Sequence, residues 1–216
     1  MKRQIIFLIF ALIFSCSEKK EHKDSSVIAS EKEMVTAIKN PEAAQKIPAD
    51  WLQYYTKHAA AFSPDRFILL NETKFDLNFK GHVHAIFDQN FDPVYAPFLV
   101  FNPSKTLYLD FDSYQWILDA DGNASFEADQ ELNLVDLKNK KVSRVAFYGP
   151  SFWIEDAYWK NDSVFVTLEN SYERVLFMNE YDLKTLTKKS YQYPDTLNFS
   201  SDYAKLRLRK NGIKVE

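Results

Sequence analysis

Cysteine, glycine and long apolar runs are all scarce in this chain of 216 residues, and each shortage removes a class of function. Cys16 is the only cysteine, so no intramolecular disulfide can form. The four glycines, Gly81, Gly122, Gly149 and Gly212, are scattered, and no phosphate-cradling loop can be built from them. The segment Gly149-Pro150-Ser151-Phe152 lacks the Gly-x-Ser-x-Gly turn that exposes a hydrolase nucleophile. Positive charge is not in excess: 27 Lys and Arg face 30 Asp and Glu, a net charge of −3. A mildly acidic chain argues against nucleic acid as a partner, because phosphate binding needs clustered Lys and Arg. The longest apolar run, Ile5 to Phe14, has half of the about 20 residues that a helix needs to cross a bilayer core.

That short run carries the most specific chemistry present. Lys2 and Arg3 precede it, small Ser15 follows, and the lone cysteine stands where it stops, the layout of a secretory signal peptide. Ile13-Phe14-Ser15-Cys16 resembles the lipobox of bacterial lipoproteins, with Phe14 in place of the small residue usual at that position. The resemblance implies cleavage before Cys16, diacylation of its thiol and acylation of the new amino terminus. The membrane is then a partner through lipidated Cys16, held durably because several acyl chains insert together. Ser17 at the next position implies passage to the outer membrane. The tail Ser17–Glu21 partly resembles the acidic export signals of Bacteroidota surface lipoproteins, but its two lysines favour the periplasmic face over the surface. Removing residues 1–15 takes away Lys2, Arg3 and no acid, so the net charge falls from −3 to −5.

Residues 16–29 are charged, mixed in sign and poor in large apolar side chains, which predicts a flexible tether. A helical segment follows over 30–62. Ser30-Glu31-Lys32-Glu33 fits a capping box ahead of Met34, Val35 and Ile38. Asn40-Pro41 ends that helix, and Ala43, Ala44 and Ile47 continue in a second short one. Pro48-Ala49-Asp50 opens a third, with Trp51, Leu52, Tyr55, His58, Ala59 and Phe62 on one face expected to dock on a sheet.

From residue 63 the period changes to that of strands, and aromatic residues at 16% of the chain favour pleated surfaces. Arg66–Asn71, Lys74–Asn78, His82–Asp88, Tyr95–Phe101 and Thr106–Phe111 are predicted strands, separated largely by Asn and Asp turns such as Asn71-Glu72 and Asn102-Pro103. Asp121-Gly122 and Asn211-Gly212 are hairpin signals. Leu134-Val135-Asp136-Leu137-Lys138 recurs as Glu180-Tyr181-Asp182-Leu183-Lys184, 46 residues on, each copy preceded by two predicted strands and followed by one. This loosely resembles four-stranded β-propeller blades. The fold class is therefore mainly β: short N-terminal helices, then consecutive antiparallel meanders over 63–216. They are blade-like, with a β-sandwich as the alternative. Trp116 and Phe165 are expected between neighbouring sheets.

Candidate chemistry is sparse. His82 and His84 alternate on a predicted strand, a spacing that serves zinc, but no third ligand is fixed, and no metal or cofactor is assigned. Asp119–Asn123 fails as a calcium loop, since Ile117 and Ala128 occupy its first and last ligand positions. Asp110 and Asp112 are expected on one strand face about 7 Å apart, at the scale of a glycosidase pair. No catalytic residue is assigned. The leading functional expectation is a non-catalytic, outer-membrane-associated lipoprotein whose β domain binds an envelope protein or glycan. The alternatives are an envelope glycan hydrolase using Asp110 and Asp112, and an accessory subunit of an outer-membrane assembly.

Overall fold

A computed structural model describes residues 47–215; the leader, the tether, the first predicted helix and all of the second but Ile47 lie outside them. Helix α1 (Ala49–His58) forms where expected. Trp51 and Tyr55, one turn apart, are both fully buried with ring centroids 4.6 Å apart, and Tyr54 is buried beside them. His58 stays on the exposed edge, its Nδ1 2.8 Å from the Tyr54 carbonyl.

The strands follow in chain order: β1 (Ile68–Lys74), β2 (Val100–Phe101), β3 (Leu107–Asp110), β4 (Trp116–Leu118), β5 (Asn123–Phe126), β6 (Gln130–Asp136) and β7 (Lys141–Tyr148). After them come β8 (Phe152–Trp159), β9 (Val164–Ser171), β10 (Phe177–Asp182) and β11 (Thr187–Gln192), then helix α2 (Tyr203–Lys210) and β12 (Lys214–Val215). They form a five-stranded sheet ordered β1-β11-β10-β9-β8, a four-stranded sheet ordered β2-β3-β6-β7, and a three-stranded sheet ordered β12-β5-β4. In the first, β8 to β11 pair in sequence order as expected. In the second, β7 pairs with β6 as expected, but β6 pairs with β3, so the predicted strand Tyr114–Leu118 is not the second strand of that meander.

The repeat extends to the backbone. Asp136 pairs with Lys141 and Asp182 with Thr187, closing hairpins of equal length. In each, the Asp side chain accepts a turn amide, from Asn139 at 2.9 Å and from Lys184 at 2.8 Å. Lys140 and Leu186, four residues after their Asp, both take positive φ, 48° and 52°. Similar turns thus close one hairpin in each of the two large sheets, which fits a blade-like or a sandwich-like β fold.

Alternation along the strands builds the layers. Leu132 and Leu134 of β6 meet Ile154, Trp159, Phe165 and Tyr181 in a core between the two large sheets, with Phe165 stacked on Tyr181 at 4.8 Å. The opposite residues of β9, Val166 and Leu168, lie under α1 with Trp51, Tyr55 and Phe67. On the outer side of β6, Val135 packs with Tyr108, Ala85 and Leu99 from the segment before β2. All but the last residue of β6 are buried, as expected for a strand covered on both faces.

Three predicted strands, one predicted turn and one core placement are corrected. Lys74–Asn78 leaves the sheet after Lys74, and Asn71-Glu72 is no turn but lies within β1, beside an irregularity in its pairing. His82–Asp88 is an irregular segment attached to β7 through a single bridge, Lys80 to Ser143. A Cβ on neighbouring Gly81 would stand 2.0 Å from Asn133 Oδ1, so glycine permits this close crossing over β6. Tyr95–Phe101 is a 3₁₀ turn, Pro93–Phe98, ahead of the two-residue β2, because Pro93 and Pro97 cannot donate to a ladder. Trp116 is not between the two large sheets: β4 and β5 form a separate hairpin, and Trp116 packs with Tyr95, Phe98 and Leu208.

Candidate functional site

The loop after β3 begins the site. The strand ends at Asp110, whose Oδ1 accepts the amides of Asp112 at 3.1 Å and Ser113 at 3.0 Å, while the Ser113 hydroxyl donates to Oδ2 at 2.6 Å. This turn buries both carboxylates instead of leaving them on a shared strand face. Asp112 accepts the Trp116 indole N–H at 2.9 Å and a two-pronged grip from Arg207 of α2, at 2.6 and 3.0 Å. The guanidinium lies over Phe111 and Phe98, 4.8 and 5.5 Å from their ring centres. Below it, Tyr203 donates to Asp156 Oδ2 at 2.7 Å. Burial raises the Asp156 pKa, although the Arg207 charge and the Tyr203 hydroxyl pull it down.

Burial also pushes the Asp110 carboxyl up to about 6, with the Asp112 charge adding to it and the Ser113 donors opposing it. The unfolded group titrates near 3.9, so between about pH 4 and 6 the folded state holds the extra proton and stability falls as pH rises. Asp110→Asn removes this dependence. Urea unfolding at pH 4 and pH 7 should show wild type losing about 2 kcal/mol relative to the variant over that interval. Parallel curves would contradict the assignment.

Fixing α2 this way makes it one wall of a cavity of about 550 Å³. Ser200, Ser201, Asp202 and the α2 residues Ala204, Lys205 and Arg209 form that wall. Opposite stand Phe126, Glu127 and Ala128 from the end of the β4–β5 hairpin, with Pro150, Phe152 and Trp153 from the start of β8. Gln115 and Gln130 line it from the protein interior, 7% and 1% exposed. Gln130 is fully engaged: its amide nitrogen donates to Phe111 O at 2.8 Å and Gln115 Oε1 at 2.9 Å, and its oxygen accepts the Ile154 amide at 2.6 Å. Gln115 is not. Its oxygen serves Gln130, and its Nε2 donates to no group among the described residues.

His82 and His84 are not on one strand face. His82 Nδ1 lies 2.6 Å from Glu131 Oε1, and His84 Nδ1 lies 3.1 Å from Asp88 Oδ2. Burial of Glu131 works to raise its pKa, but the His82 amide and imidazole with Arg144 outweigh it and hold the carboxylate below its usual range. Among the described residues no group of three or more His, Cys, Asp or Glu could hold a metal ion. Cys16 lies outside the described residues. Sequence reasoning missed the cavity because it missed α2. The signals present were Gly212 as a helix stop, with φ 81°, and the basic last turn of Arg207, Arg209 and Lys210.

No protein family, no curated protein and no solved structure matches this chain.

Proposed function

We propose that this chain is a lipid-anchored protein of the bacterial envelope, held at the outer membrane through Cys16, whose β domain is a non-catalytic binding module with the α2 cavity as its site. The carrying observation is Gln115, a buried amide that lines the cavity and keeps a free N–H donor. That N–H is not sealed in the interior, and an acceptor on a ligand entering the cavity can pair with it. The buried carboxylates Asp110, Asp112, Glu131, Glu155 and Glu169 are each engaged by internal donors and stand outside the cavity lining. The two acids that a hydrolase reading would use are among them, which favours binding over hydrolysis.

Anchoring rests on the lipobox resemblance. Cys16→Ser removes the acyl acceptor, and the variant should no longer partition into detergent or be processed to the mature chain. Unchanged partition with normal maturation would reject the lipoprotein reading.

A further inference from the structure

We propose that the α2 cavity takes a neutral oligosaccharide, an inference that rests on the binding-module reading above and narrows its ligand. Charge is the first argument. Lys205 and Arg209 on the cavity wall are matched by Glu127 and Asp202, and Arg209 already lies 3.9 Å from Asp202. A balanced lining gives neither an anion nor a cation an advantage. The first turn of α2 has no side-chain cap, because Asp202 Oδ1 accepts the Tyr54 hydroxyl at 2.8 Å instead. An anion drawn to that terminus would meet Asp202 beside it.

The lining also pairs polar with apolar surface. Sugar rings present C–H faces to aromatic side chains and hydroxyls, each donor and acceptor, at their edges. Phe126, Phe152 and Trp153 contribute aromatic surface to the lining, and Phe152, whose ring meets Phe177 edge-on at 5.7 Å, is still 45% exposed. The free Gln115 Nε2 donates to a ring or hydroxyl oxygen, and Glu127 and Asp202 accept from hydroxyls. The volume of about 550 Å³ lies within the range of small-molecule sites and has room for more than one ring.

The test uses the full-length lipoprotein in mild detergent. It is titrated with maltotriose, cellotriose, mannotriose and triacetylchitotriose, beside trigalacturonate and a Trp-containing tripeptide, and binding is read by tryptophan fluorescence and ligand-observed NMR. At least one neutral trisaccharide should bind saturably. Gln115→Glu keeps an acceptor for Gln130 but removes the donor, and should weaken binding about tenfold. Trp153→Ala should weaken it at least as much, with the melting curves of both variants confirming the fold. No binding of any neutral trisaccharide, or binding unaffected by both substitutions, overturns the inference. Trigalacturonate or the peptide binding alone, and lost in Trp153→Ala, overturns the saccharide while leaving the binding module in place.

Discussion

Replacing Arg207 by methionine lowers the stability of the domain by about 3–5 kcal/mol, because it leaves Asp112 charged, buried and without its counter-ion. Methionine keeps apolar contact with Phe98 and Phe111, so most of the loss is electrostatic. For a domain of this size the expected fall in Tm is roughly 6–20 °C. The double variant Arg207→Met/Asp112→Asn should recover at least half of the loss, since it removes the stranded charge and keeps an acceptor for the Trp116 indole. A double variant no more stable than Arg207→Met would show that the ion pair is not what holds α2 in place.

Trp51→Ala has an effect of similar size for a different reason. The indole is fully buried in the cluster beneath α1 and touches Tyr55 and Phe62. Large-to-small substitutions of such rings cost about 3–5 kcal/mol. The indole N–H also donates to Glu155 Oε2 at 3.0 Å, beside Tyr55 at 2.6 Å and, on the other oxygen, Asn170 at 3.1 Å. Burial raises the Glu155 pKa and these donors oppose it, so losing one moves the carboxyl further up. Trp51→Phe separates the two contributions: it should retain more than half of the stability in urea unfolding. Equal losses from Phe and Ala would place the effect in the hydrogen bond alone.

What was legible in the chain was what local period and turn chemistry determine. Trp51 and Tyr55 four residues apart announced α1 and its buried face. Two Asp-Leu-Lys turns announced two hairpins of equal length that share a positive φ, at Lys140 and at Leu186. The misreadings arise where a distant partner decides. Leu206 and Leu208 alternate as in a strand, and Asn211-Gly212 reads as a hairpin, yet Gly212 ends α2 by letting Ile213 bond back to Leu208 at 3.1 Å. Val83, Ala85 and Phe87 alternate too, but Gly81 crosses so close to Asn133 that the following segment lies over β6 instead of adding a strand. Asp110 and Asp112 were expected together on one strand face because nothing nearby names Arg207, 95 residues from Asp112, as its counter-charge. The cavity followed from that contact and was invisible without it.

As proposed, the anchored module holds a neutral oligosaccharide in the cavity beside α2. The most direct test is the carbohydrate retained per mole of full-length lipoprotein purified from its own membranes in mild detergent, for wild type and for Ala204→Trp. Ala204 is half-buried in the cavity wall, so an indole there takes up cavity volume. Wild type should retain glycan, and the variant, with an unchanged melting curve, should lose at least nine-tenths of it. Equal retention by both proteins, or none by wild type, would contradict the claim.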